Sequence, residues 1–303
     1  MTITAGPYHQ GSRQVQDRVG VRELADHVGR SIGPGIREVA AAFLARQPTL
    51  VVGAADAAGR IWASLLTGAP GFVRATGPGR VSVAGGVPDG DPLAEALATP
   101  GTPVGTIALD PRTRRRMRLN GILEPTPRGF AVEAGEVFSN CPKYLQQREP
   151  VEVLWDGPGV VRRGGALTPD QARGVRAADT FFIATAAGDG ADASHRGGNP
   201  GFVEVLSPTE LAWPDYAGNA MFLTLGNLVE EPRAGLLFPD WETGRTLQLT
   251  GRARTEYGPD GSRTVRFTVE ETVEGEHPGR LRWSAPDYSP ANPPVPHRGR
   301  TTT

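Results

Sequence analysis

The 303-residue chain is 38% hydrophobic and 21% charged, with a formal net charge of −1. That composition excludes a disordered chain and gives no overall electrostatic reason to bind nucleic acid or an anionic membrane. Its single cysteine, Cys141, excludes an internal disulfide framework and any multi-cysteine metal cluster.

No apolar run reaches membrane-spanning length, and the N-terminus lacks a basic-then-apolar signal pattern. The expectation is a soluble cytoplasmic protein with no nucleic-acid or membrane partner. The basic residues comprise 31 Arg and one Lys, Lys143. Because a compact ammonium and a planar guanidinium do different work at an anion, the lone lysine merits attention.

Residues 1–48 read as a helical arm. Apolar positions run at helical spacing from Val15 to Ile32, Gly33-Pro34-Gly35 interrupts, and a second helix is predicted over Ile36–Arg46. Residues 49–148 read as a β-rich unit: strands at 49–54 and 61–66 around a turn, and a short strand at 81–84. A helix is predicted from Asp91 to Ala98, then strands at 104–109, 114–121 and 129–137. A short helix is predicted over 140–148, capped by Ser139 or Asn140. Residues 149–166, rich in Gly and Pro, read as a linker. A second β-rich unit spans 167–285 and opens on the helix start Thr168-Pro169-Asp170. Its strands include 234–238 and 245–251, joined by a turn at 239–244, and a last one at 263–273. The proline-rich 286–303 reads as a flexible tail.

The two units are copies. Shifted by 130 positions without gaps, Ala63-Ser64 falls on Ala193-Ser194, and Pro70-Gly71-Phe72-Val73 on Pro200-Gly201-Phe202-Val203. Gly105, Asp110, Thr113, Arg115, Leu119 and Gly121 fall on Gly235, Asp240, Thr243, Arg245, Leu249 and Gly251. The chain is therefore a tandem duplication, and many short strands with regular turns argue a barrel.

The second copy carries the polar segments. Ser194-His195-Arg196-Gly197-Gly198 is basic and glycine-rich, and 214–227 is dense in amide, hydroxyl and glycine, the chemistry of a loop that meets an anion. The first copy has Leu65 and Leu66 at the His195 and Arg196 positions, and Pro88-Asp89 where the second has Gly218-Asn219. One anion site per chain, in the second half, is expected. Arg196 can make paired, charge-assisted bonds, His195 can donate beside it, and Asn219, Thr224 and Asn227 offer neutral donors. Gly218 and Gly226 would let backbone approach closely.

Several segments carry a resemblance: 231–251, 194–198, 218–227, 136–148 and the N-terminal stretch with His9, Gly11 and Gln16. Together they resemble the pyridoxamine 5′-phosphate oxidase family, and in particular its tandem flavin-nucleotide-binding members. The resemblance implies a mainly β fold with flanking helices, a tandem split β-barrel. It also implies flavin mononucleotide (FMN) as cofactor and hydride transfer with a small molecule. Split barrels of that family form homodimers with the flavin in the groove between barrels, a groove that a duplicated chain could build internally. By the same resemblance Thr246 and Gln248 meet the flavin ring, the His9–Gln16 segment contributes to the cavity, and Lys143 meets a phosphate or a substrate carboxylate. A non-catalytic flavin binder, a haem protein and a deazaflavin protein are the alternatives. The arginine run 112–118 reads as a solvated strand face, Trp213 and Trp241 as core or lid, and Cys141 as an inert thiol. No catalytic residue and no metal site is predicted.

Overall fold

A computed structural model describes residues 6–154, 159–276 and 280–295. The N-terminal arm holds α1 (Gln10–Val19), α2 (Arg22–Gly29) and α3 (Glu38–Leu44). The first long helical pattern is thus two helices, because Gly20 turns left-handed at φ 75° and ends α1.

The first unit contains β1 (Thr49–Ala55), β2 (Ile61–Thr67), β3 (Val73–Gly77), β4 (Arg80–Ala84), β5 (Pro103–Asp110), β6 (Arg115–Thr126) and β7 (Gly129–Ser139). Next come β8 (Pro150–Leu154), β9 (Val160–Gly164) and α4 (Pro169–Ala177). The second unit contains β10 (Thr180–Ala187), β11 (Gly190–Gly197), β12 (Glu204–Ser207), β13 (Glu210–Pro214) and α5 (Leu223–Glu230). It finishes with β14 (Arg233–Pro239), β15 (Thr246–Tyr257), β16 (Arg263–Glu276) and β17 (Arg280–Trp283).

The first sheet runs β2-β1-β5-β6-β7-β4-β3 and the second β11-β10-β14-β15-β16-β13-β12. Strand for strand these are the same order, so the duplication read from the sequence is a duplication of architecture. Each order is a path with free ends, and β2 and β3 end the first. Yet alternate residues of its strands, from Leu50 and Val52 through Trp62, Val83 and Leu119 to Val132, meet in a single buried cluster. A sheet that turns one face onto one cluster in this way is a barrel with a split.

The strands that face the other barrel are buried on both sides. On β1, Leu50 and Val52 point into their own core while Val51 points to the interface; on β10, Phe181 and Ile183 do the former and Phe182 and Ala184 the latter. This is why these segments read as nearly unbroken apolar runs. Two glycines at equivalent positions allow the close approach. A Cβ on Gly105 would lie 2.3 Å from Asp192 Cα, and one on Gly235 would lie 2.6 Å from Trp62 Cα.

Four expectations change. Residues 92–98 form turns and a 3-10 turn at Ala96–Ala98, not a helix: Asp91 caps the Leu93 amide, but the segment is cut short at Gly101, which turns left-handed at φ 79°, and the Thr102 hydroxyl donates to the Ala96 carbonyl. Residues 140–148 are irregular, with Tyr144 left-handed at φ 66°. The 149–166 segment is not a bare linker: β9 adds to β16 of the second sheet, and β8 pairs with β17. Residues 286–295 are not a free tail either. Gln147 and Asp287 exchange backbone hydrogen bonds, and Ser289 and Asn292 bond to Gln146. The rest of the tail, from 296, lies outside the described residues.

Candidate functional site

A strongly cationic cleft lies where β11 of the second barrel meets β6 of the first. From β11 come His195 and Arg196; from β6 come Arg116 and Arg118; from the 140–148 loop come Cys141, Lys143 and Tyr144. The far wall is the 214–222 turn and the start of α5, including Asn219 and Thr224. The cleft is composite, and neither half of the chain could form it alone.

Backbone strain gathers here. Tyr144, Ala220 and Phe222 all sit at positive φ (66°, 61° and 55°) and all line the cleft. Such conformations cost of order 1–3 kcal/mol each and persist only where surrounding structure imposes them. For Ala220 and Phe222 the imposing element is α1. A Cβ on Gly11 would lie 2.3 Å from the Gly226 carbonyl oxygen, so α1 rests directly on α5, and Gln16 donates to the Met221 carbonyl at 2.9 Å. Gly226 thus serves the contact between helices, where a Cβ would strike Ser12, rather than an approach to a ligand. The first turn of α5 has no side-chain cap, and Leu223, Thr224 and Leu225 line the cleft. Unsatisfied amides and the positive end of the helix dipole therefore face it.

The electrostatics favour an anion. Arg116, Arg118, Arg196 and Lys143 line the cleft, with Asp215 as the facing carboxylate. Asp215 is already held by Arg263 at 2.8 Å and lies 3.9 Å from Arg196. Arg118 pairs with Asp192. Among the described residues Arg116 pairs with no carboxylate: it donates to His195 Nδ1 at 2.6 Å and to the Cys141 carbonyl at 2.7 Å, and its Nε is buried without a partner. Lys143 is exposed and enters no ion pair among the described residues. Burial, followed by the charges of Arg196 and Arg118, pulls the Arg116 guanidinium down to about 10, still charged at neutral pH.

His195 is only 4% exposed, and burial, with the charges of Arg116 and Arg196, holds its imidazole well below the ordinary value of 6.5. It is neutral at pH 7. Arginine can only donate, so Nδ1 accepts and the proton resides on Nε2. That Nε2 is a buried N–H with no protein partner. The cleft thus combines surplus cations, helix-terminal amides and orphaned donors, and this donor set fits a phosphate group. Its enclosed volume is about 100 Å³. That is less than the roughly 300–1,000 Å³ of ordinary ligand pockets, so a nucleotide-sized ligand would be gripped at one end.

The sequence-predicted residues divide among three places. His195, Arg196, Asn219, Thr224 and Lys143 come together in the cleft. The side chain of Asn219 shapes the turn, accepting from the Met221 amide at 3.2 Å. Asn227 lies on a neighbouring cavity with His9, where it donates to Thr185 at 2.9 Å and its Oδ1 meets His9 Nε2 at 2.8 Å.

Thr246 and Gln248 lie elsewhere. Thr246 lines a smaller cleft, of about 50 Å³, with Leu65, Asp91, Trp241 and Trp283. Gln248 is 2% exposed and donates to the Ala63 carbonyl, Ser64 Oγ and Asp91 Oδ2. This cleft is the mirror image of the first: under the 130-residue shift Thr246 corresponds to Arg116, Gln248 to Arg118, and Leu65 to His195. It carries none of the arginines of β6 and β11. Trp213 is core, stacked edge-on to Phe181 at 5.0 Å. Arg116 and Arg118, read from the sequence as part of a solvated strand face, line the cleft instead and are the candidate residues that reading missed.

The strand order repeated in both halves decides the architecture. The chain is a tandem split barrel. Solved structures similar to the tandem barrel each match a barrel-sized part of it. A candidate pyridoxamine 5′-phosphate oxidase from Lactobacillus delbrueckii is 17% identical, with 35% of this chain and 93% of that chain covered, at a TM-score of 0.30. The FAD-binding protein from Mycobacterium smegmatis is 13% identical, with 39% and 100% covered, at 0.27. The FAD- and haem-binding protein from the same organism is 10% identical, with 46% and 93% covered, at 0.29. No family profile and no curated protein matches the chain.

Proposed function

We propose that the cleft between β6 and β11 binds FMN, and that the protein is an FMN-dependent oxidoreductase acting on a small molecule. The observation that carries this reading is Arg116, a half-buried guanidinium with a buried, unpartnered Nε and no carboxylate partner among the described residues, set beside Arg196, Lys143 and the uncapped start of α5. Unmatched buried charge is expensive, and a bound phosphate dianion offsets it. The resemblance in the 194–251 segment supplies the flavin as the group that carries the phosphate.

In this reading Arg116, Arg196 and Lys143 hold the phosphate, α5 amides and the His195 Nε2–H donate to it, and Tyr144 and Phe222 exclude water. Bound flavin supplies a two-electron redox centre that exchanges hydride with substrate. The chain's part is retention, orientation and charge; no side chain is assigned to a proton transfer.

His195 opposes a haem reading. An axial imidazole binds iron through an unprotonated nitrogen, whereas Arg116 holds Nδ1 as acceptor and leaves the proton on Nε2. Absorption spectra after gentle purification, followed by titration with FMN and with riboflavin, test the proposal. A flavin band and a clear preference for FMN are expected. A Soret band, or failure to bind any flavin, would refute it.

A further inference from the structure

A second cavity, of about 390 Å³, lies between the barrels and beneath the N-terminal arm. It adjoins the cationic cleft: Leu223 lines both, and the Arg118–Asp192 pair spans the partition, its arginine in the cleft wall and its aspartate in the cavity wall. Its polar lining has the opposite sign. Glu133 and Glu136 project from β7, Asp189 from the β10–β11 turn, and Asp192 from β11. Arg80 pairs with Glu133 and Arg118 with Asp192, while the His9 ring meets Glu230 and Asn227. Glu136 and Asp189 enter no ion pair among the described residues.

Asn120 draws two of these carboxylates together. Its Nδ2 donates to Glu136 Oε2 at 3.0 Å and to Asp192 Oδ1 at 3.1 Å. Asn120 and Asp192 are only 7% and 3% exposed, and each retains one buried oxygen with no partner, Asn120 Oδ1 and Asp192 Oδ2. Both orphans are acceptors. A cavity that holds unpaired carboxylate charge and buried acceptors lacks donors and positive charge. Burial, and then the neighbouring Asp192 charge, raise the Glu136 carboxyl above its ordinary range, the same shortage seen from the proton's side.

We propose that this cavity binds a compact organic cation, an ammonium or guanidinium, with Glu136 as its main counter-charge and Asn120 and Asp192 as further acceptors. A metal ion is the weaker occupant, since among the described residues no three His, Cys, Asp or Glu side chains converge to hold one. The wall also offers carbon: Ile122, Ala187, Ala191 and Leu223 line it. The inference does not rest on the flavin reading, because it uses neither the cleft's cations nor its ligand.

The test is calorimetric titration of the full chain at pH 7 with butylammonium, butan-1-ol and butyrate. Saturable binding of the cation is expected, about tenfold or more tighter than the alcohol, as a charged hydrogen bond implies, with no binding of butyrate in the cavity. Glu136→Gln should abolish that preference while keeping a native-like circular dichroism spectrum and a cooperative thermal transition, which show that the variant is folded. Equal affinity for cation and alcohol, or an undiminished preference in Glu136→Gln, would overturn the proposal. Should Glu136→Gln fail to fold, the three probes on the native sequence decide alone. Displacement of butylammonium by riboflavin would assign the cavity to a flavin ring and overturn it as well.

Discussion

Replacing Arg116 with methionine should separate the phosphate from the rest of the ligand. The side chain makes two hydrogen bonds inside the protein, to His195 and to Cys141, and leaves Nε buried without a partner. A phosphate that takes even one charge-assisted bond from this group loses about 1.5–3 kcal/mol on its removal. That corresponds to roughly 10- to 150-fold in FMN affinity. The variant also strands the His195 Nδ1 acceptor and the Cys141 carbonyl, so the ligand-free protein should lose about 1–3 kcal/mol of stability. Fluorescence titrations with FMN and riboflavin, beside urea denaturation of the free protein, distinguish the two effects. Riboflavin, which has no phosphate, should bind Arg116→Met almost as it binds the native chain. Arg115→Ala, which removes an exposed charge one position along the same strand, is the control for general electrostatics. If FMN affinity is unchanged, or falls no further than riboflavin affinity, Arg116 does not hold a phosphate.

Arg196→Ala should weaken FMN retention by about 1.5–3 kcal/mol, read from the same titration, and unaltered retention would remove Arg196 from the site. Flavin absorbance per polypeptide should saturate at one FMN, since the mirror cleft lacks the arginines; two would contradict the asymmetry. Gly105→Ala should cost about 1–3 kcal/mol in urea denaturation because its Cβ would meet the Asp192 backbone. Gly174→Ala in α4, with nothing near its Cβ, should instead stabilise by about 0.5–1 kcal/mol. Stability should also respond to His195. Its folded value lies below 6.5, so as the pH falls the unfolded chain takes up the proton first. Stability is therefore full above about pH 6.5 and is lost as the pH falls through the folded value; His195→Gln should flatten that part of the profile measured by thermal unfolding.

Much of the architecture was legible because a repeat needs no packing information. The 130-residue shift places β5 and β6 on β14 and β15, and β2 and β4 on β11 and β13. The irregular 140–148 segment was not legible: its conformation is set by contacts with Asp179, Gly198 and the 287–292 strand of chain, all remote in sequence. Nor could β8 and β9 be read from a Gly- and Pro-rich stretch, since each exists only by pairing with a strand more than a hundred residues later.

The site was half legible, for a reason that lies in the geometry of the duplication. His195, Arg196 and the 214–227 turn announce themselves by composition, but their partners come from the other barrel. The family resemblance instead points to Thr246 and Gln248, on the hairpin of the same half as His195 and Arg196. The interface sets β11 of one barrel against the hairpin strand of the other, so the residues that share the cleft with His195 and Arg196 lie 130 residues earlier, at Arg116 and Arg118. Side chains at i and i+2 on a strand share a face, and these two flank Met117, which turns the other way into the first core.

In a symmetric pair of identical barrels any change in one groove appears in both, so neither groove can be given up without losing the other. Fusion removes that constraint. Here β6 keeps Arg116 and Arg118 while β15 carries Thr246 and Gln248, and β11 keeps His195 while β2 carries Leu65. The mirror groove is not merely stripped of charge. Gln248, Ser64 and Asp91 tie the two barrels together through it, with Ser64 donating to Asp91 at 2.7 Å. One groove is thus free to stay open and under-satisfied in its polar groups, as the proposed phosphate site would require. The other is bridged by the Gln248, Ser64 and Asp91 bonds, which hold the barrels in register. The orphaned donors of the first cleft are tolerable because the second contributes stability in their place.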